Sequence, residues 1–163
     1  MPDPTVGAPS ADGADFTDAP WVYACLQVAG EFDPDALDAL LGVEAKKHRK
    51  GDPQRFRKGP AFWKRGTWHY STVRVHDWDW SVQLQLILDM VQPQKAKFIE
   101  VTRDLEVFVH LVAAATVSTP FGTISPEALA GLAEIGCSLD MDLYSDWEQH
   151  DHAALAEGEV APT

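Results

Sequence analysis

Segments typical of β-strands and segments typical of α-helices alternate along the middle of this chain. Four of them have the two-residue alternation or the β-branched and aromatic content of strands: 21–29, 66–73, 105–116 and 138–145. Three helical patterns separate them, with N-cap signals at Asp33, Ser81 and Ser125. The element order β-α-β-α-β-α-β predicts an α+β fold. We expect a two-layer ferredoxin-like sandwich, in which helices cover one face of a four-stranded sheet.

The spacing of apolar residues also predicts which side chains are buried. The third helix is expected to bury Leu129, Leu132 and Ile135 and to end at Gly136. If Val22 and Leu105 point towards the helices, the alternation places another set of side chains on the opposite sheet face: Tyr23, Cys25, Phe108, His110, Asp140 and Asp142. A sheet face without helices predicts a surface for a partner or for a homodimer.

The acidic charge is concentrated at the two ends of the chain. The 163 residues have a net charge of −12, yet 1–19 and 146–163 contain acidic residues and no Lys or Arg. Their composition predicts disordered acidic tails at 1–19 and 148–163 around a single domain at 20–147. Since no apolar run reaches the roughly 18 residues of a membrane span, and no secretory signal begins the chain, we expect no membrane contact and a cytoplasmic location.

Basic residues are concentrated in 46–65, where nine Lys or Arg accompany one acid, Asp52. This segment has no sustained periodicity, which predicts a long loop. Its cations and aromatic residues supply the candidate binding residues: Lys46, Arg49, Lys50, Asp52, Arg57, Lys58, Trp63 and Trp68. They suit an acidic protein partner, and they suit nucleic acid less well because the rest of the chain is acidic. The alternative is a solvated loop that pairs with the acidic remainder of its own domain.

Catalytic and metal-binding patterns are scarce. The six His and two Cys show no set with metal-ligand spacing, and no phosphate-binding loop occurs, so we predict no catalytic residue, no metal and no cofactor. The enzymatic alternative is a hydrolase that uses His110 with Asp140 and Asp142, which lie two residues apart on one strand face. It requires these three side chains to converge.

Several motifs carry a resemblance to a known family. They are the sequence RKGD at 49–52, GTWHYS at 66–71, FGTISPEAL at 121–129 and LDMDLY at 139–144, preceded by Gly136. Over residues 20–145 the chain resembles the bacterial domain of unknown function (DUF) 4279. The family has no established activity, and some of its members look like immunity proteins encoded beside toxin genes. The resemblance therefore implies a fold, together with a non-enzymatic, immunity-like role in binding another protein.

Overall fold

The computed structural model describes residues 20–54, 61–115 and 120–144. The two predicted tails, together with Arg57 and Lys58, lie outside these residues, so the predictions made for them remain predictions. Among the described residues, no helix has both the length and the apolar character needed to span a bilayer.

The described residues form strands and helices that alternate less regularly than expected. The strands are β1 (Trp21–Gly30), β2 (Lys46–His48), β3 (Gly66–Ser71), β4 (Val75–His76), β5 (Glu106–Ala114) and β6 (Ser138–Tyr144). The helices are α1 (Asp35–Leu41), α2 (Ser81–Val91), α3 (Lys95–Thr102) and α4 (Pro126–Glu134), with a 3-10 turn at Gln92–Gln94 between α2 and α3.

All six strands belong to one mixed sheet, with the order β2-β3-β1-β5-β6 and with β4 paired to the start of β1. β1 is antiparallel to β3, β4 and β5, whereas β6 is parallel to β5. The prediction of an α+β fold is confirmed, but the four-stranded ferredoxin-like sandwich is wrong. β2 and β4 contain three and two residues, too few to show an alternation. They are strands because they pair with β3 and β1.

One face of the sheet carries the hydrophobic core. Alternate residues of β1 and β5 point towards the helices and are buried: Val22, Ala24, Leu26, Val28, Val107, Val109, Leu111 and Ala113. Each helix adds buried side chains to the same cluster, among them Leu37, Leu84, Phe98 and Leu132. The helices of the described part therefore cover this face, and the side chains of the other face meet no helix of this core.

The ends of α4 follow their sequence signals, but its buried stripe differs by one position. The Ser125 hydroxyl accepts a hydrogen bond from the amide of Ala128 at 3.1 Å, and Gly136 ends the helix with φ 70°. Ala128, Leu132 and Ile135 are buried, whereas Leu129 is exposed, so its predicted burial is wrong. Ser81 does not cap its own helix, because its hydroxyl accepts from the amide of Ser125 at 2.7 Å.

Candidate binding groove on the open sheet face

The face of the sheet opposite the helices, called the open face here, carries polar and aromatic side chains. They come from alternate positions of neighbouring strands: Tyr23, Cys25 and Gln27 of β1, Thr67, His69 and Ser71 of β3, Phe108, His110 and Val112 of β5, and Asp140, Asp142 and Tyr144 of β6. The register places Cys25 beside His110 and His110 beside Asp140. The residues that the alternation predicted for one face therefore do share it.

A hairpin-like segment borders the open face at the end nearest β2. We call residues 49–65 the arm, of which 49–54 and 61–65 are described. Within it Trp63 and Asp52 are joined by a backbone hydrogen bond of 2.9 Å, and Gln54 donates to Ala61 at 2.7 Å. The ring of Trp63 stacks on that of His48 in β2, with centroids 4.4 Å apart. The prediction of a long loop over 46–65 is thus wrong for Lys46–His48, which form β2. The residues 49–54 and 61–65 lie outside the strands and are joined by an isolated bridge between Pro53 and Phe62.

The arm and the sheet enclose a first hollow of about 770 Å³. Its lining includes Gln27, Phe62, Trp63, Thr67, His69 and Phe108. Thr67 is only 7% exposed, and its hydroxyl has no hydrogen-bond partner among the described residues. A buried hydroxyl without a partner costs about 1–3 kcal/mol. The first hollow itself combines aromatic walls with the polar side chains of Gln27 and His69.

His69 is an uncharged hydrogen-bonding group in this hollow. Burial, together with charge repulsion from His48, Lys46 and His110, lowers the pKa of its imidazole from 6.5 to about 4. The ring is therefore neutral near neutral pH. It can donate through one nitrogen and accept through the other.

The low pKa of His69 predicts a loss of stability in acid. Between pH 6.5 and about 4 the unfolded chain binds a proton at this position that the folded protein does not, so the free energy of unfolding falls as the pH falls. His69→Gln should reduce the fall in urea midpoint between about pH 7 and about pH 5. An equal fall in the variant and the parent protein would contradict the burial of a neutral imidazole.

A second hollow of about 350 Å³ adjoins the first towards β6. Gln27 and His69, which are cross-strand neighbours on β1 and β3, line both hollows. We call the two together the open-face groove. Burial raises the pKa of the Cys25 thiol in the second hollow, so this side chain is protonated near neutral pH and is no thiolate nucleophile.

The three residues of the hydrolase alternative converge beside the second hollow. His110 Nε2 lies 3.6 Å from Asp140 Oδ2, and His110 Nδ1 lies 3.5 Å from Asp142 Oδ2. An imidazole between two carboxylates can hold or pass a proton. Among the described residues, no group of three His, Cys, Asp or Glu side chains has the arrangement of a metal site.

Two predicted binding residues, Arg49 and Lys50, and their neighbour Lys47 form ion pairs with α1 or with the segment that precedes it. Lys47 pairs with Asp35 at 2.8 Å and also with Asp38, Arg49 pairs with Asp35, and Lys50 pairs with Glu31 at 3.0 Å. Asp52 accepts a hydrogen bond from the backbone amide of Arg49 at 2.6 Å and so stabilises the turn of the arm. Three of the cations at 46–50 are therefore paired with carboxylates of the same domain.

The remaining predicted binding residues differ in their access to a partner. Lys46 lines the second hollow, and Trp63 lines the first. Trp68 is fully buried in the core, where its Nε1 donates to Asp38 Oδ1 at 2.8 Å, so its ring has no surface to offer a partner. Arg57 and Lys58 lie outside the described residues.

Sequence reasoning did not select three residues of the groove: Gln27, Thr67 and His69. The signal for them was present in β3, because Thr67, His69 and Ser71 alternate with the core residues Trp68 and Tyr70. In β1, Gln27 lies between the core residues Leu26 and Val28 and carries the same signal.

The fold and the groove define a small α+β protein with one mixed sheet, covered by helices on one face and hollowed by a polar and aromatic groove on the other. The chain belongs to the family described as Domain of unknown function (DUF4279), whose model matches residues 20–146. The family resemblance of the sequence motifs is thereby confirmed. No curated protein and no solved structure matches the chain.

Proposed function

We propose that this protein is a non-enzymatic binding protein that holds an acidic segment of a protein partner in the open-face groove. The observation that carries this proposal is the first hollow, where the aromatic rings of Phe62, Trp63 and Phe108 lie beside the polar side chains of Gln27 and His69. Aromatic side chains with a few placed polar groups are typical of recognition sites. An immunity-like role, as the family resemblance implies, would be one form of this function.

The charges around the groove favour an acidic partner segment. Lys64 lines the first hollow and Lys46 lines the second. Lys47, Arg49 and Lys50 pair with carboxylates of their own domain. Nucleic acid would need a continuous row of cations to follow its phosphates, and these ion pairs interrupt such a row. We therefore rank a protein partner above nucleic acid.

A photo-crosslinking experiment tests the proposal in cells of the source organism. Benzoylphenylalanine in place of Phe62, an exposed residue that lines the first hollow, should form an adduct with a partner protein. The same amino acid in place of Leu86, an exposed residue on α2, is the matched control and should not. Lys64→Glu should lower the adduct yield, whereas Lys97→Glu on α3 makes the same change in net charge and should not.

Three results would overturn this proposal. Equal adducts at both positions, or none at Phe62, would exclude specific binding in the groove. An adduct with the mass of two copies of the chain would instead indicate a homodimer through the open face.

The hydrolase alternative is the second candidate, because His110, Asp140 and Asp142 do converge. Turnover of a chromogenic ester or phosphoester by the purified protein, lost in His110→Asn, would favour it over simple binding.

A further inference from the structure

The outer edge of β6 has features of a second interaction site, which shares Asp142 with the second hollow. Among the described residues β6 pairs with β5 alone, which makes it the edge strand of the sheet. The carbonyl of Tyr144 accepts from the amide of Ala115, on the β5 side, at 3.0 Å. Alternate residues of a strand direct their backbone groups to opposite sides. The backbone N–H and C=O groups of Leu139, Met141 and Leu143 therefore point away from β5. They are available to hydrogen-bond an added strand.

The side chains of β6 are apolar on the helix side of the sheet and acidic on the open face. On the helix side Met141 and Leu143 are 46% and 43% exposed, although neighbouring positions of the same face form the core. On the open face Asp140 and Asp142 are exposed carboxylates. A strand that matches this edge would alternate apolar residues with basic ones, because side chains opposite each other on one face interact.

Charge disfavours two candidate partners for this edge: the ends of this chain and a second copy of β6. The chain ends 1–19 and 146–163 contain no Lys or Arg, so they offer no cation to either aspartate. A second copy of β6, paired edge to edge, would bring carboxylates opposite carboxylates, which is unfavourable. The same aspartates would thus oppose self-association, as charged residues on edge strands commonly do.

We propose that β6 binds a β-strand of another protein in which Lys or Arg alternates with apolar residues. The added strand extends the sheet. Its cations lie over Asp140 and Asp142, and its apolar side chains cover Met141 and Leu143. The first hollow, which carries the proposed function, contains no residue of β6, so binding at either place can fail without the other.

Synthetic peptides test this site on the full chain. The probe is a capped peptide of the same seven-residue length as β6, alternating lysine and valine, and its control replaces every lysine with glutamate. Amide shifts of Leu139, Met141 and Leu143 in an NMR titration should report binding of the lysine peptide and not of the control. In the double variant Asp140→Lys/Asp142→Lys, affinity for the lysine peptide should fall by about tenfold or more, and the glutamate peptide should bind instead.

Backbone methylation separates strand addition from attraction by net charge. A paired strand directs only alternate N–H groups towards β6. Methylation of one alternate set of peptide nitrogens should therefore abolish binding, whereas methylation of the other set should preserve it. If both methylated peptides bind as well as the parent peptide, or if no peptide shifts the β6 amides, the proposal is wrong.

Discussion

Trp68→Ala is expected to lower the free energy of unfolding by about 3–5 kcal/mol, because it removes the largest fully buried side chain of the core. The substitution also removes the indole N–H that donates to Asp38. Lys47 and the amide of Ala45 also contact that mostly buried carboxylate. Burial alone would raise the pKa of Asp38, but these hydrogen bonds outweigh it and hold the pKa below its ordinary value. Loss of one donor therefore adds to the cost of the cavity.

Guanidinium chloride denaturation, followed by circular dichroism, measures this effect, and Trp78→Ala is the matched control. Trp78 is partly exposed and stacks against Phe121 with ring centroids 4.6 Å apart, so its removal should cost about 1 kcal/mol or less. Trp68 was also a predicted binding residue. Should Trp68→Ala keep its stability and lose the partner adduct formed at Phe62, the residue would act in binding and not in the core.

A pair of substitutions within α4 should differ almost as strongly. Leu132 is 2% exposed and packs in the core, so Leu132→Ala should cost about 2–5 kcal/mol and reduce the soluble yield. Leu129 is 46% exposed, and Leu129→Ala should change the stability by about 0.5 kcal/mol or less. Both changes remove the same atoms from one helix, so helix propensity cancels in the comparison.

Urea unfolding of the two leucine variants gives the free-energy difference directly. The sequence pattern predicted that both leucines are buried, so equal losses would favour that pattern over the observed packing of α4. A large difference in the opposite direction would mean that α4 is rotated about its axis.

Local signals were sufficient for the longer elements. The alternation in 21–29 and 138–145 predicts β1 and β6, and the Ser-Pro start and the glycine stop predict α4, because these patterns act within a few residues of chain. The same alternation assigned His110, Asp140 and Asp142 to one face without knowledge of the strand order. Side-chain direction along a strand is a local property.

The contacts made by the charged residues of 46–65 could not be predicted from the sequence. Their spacing alone left open an acidic partner, nucleic acid and pairing within the domain, since partners distant in the sequence decide what a charge contacts. Only the folded chain brings Glu31, Asp35 and Asp38 against Lys47, Arg49 and Lys50. Those contacts place Arg49 and Lys50, two of the eight predicted binding residues, in internal ion pairs.

Sequence by itself determined the family, the α+β class, the longer strands and helices, and the division of the strands into a core face and an open face. Tertiary structure alone decided that Lys46–His48 and Val75–His76 are strands, that Trp68 is buried and that the buried hydroxyl of Thr67 has no hydrogen-bond partner among the described residues. The physical reason is the range of the interactions. Alternation and capping depend on neighbouring residues, whereas strand pairing, burial and hydrogen-bond satisfaction depend on residues that folding brings together from distant parts of the chain.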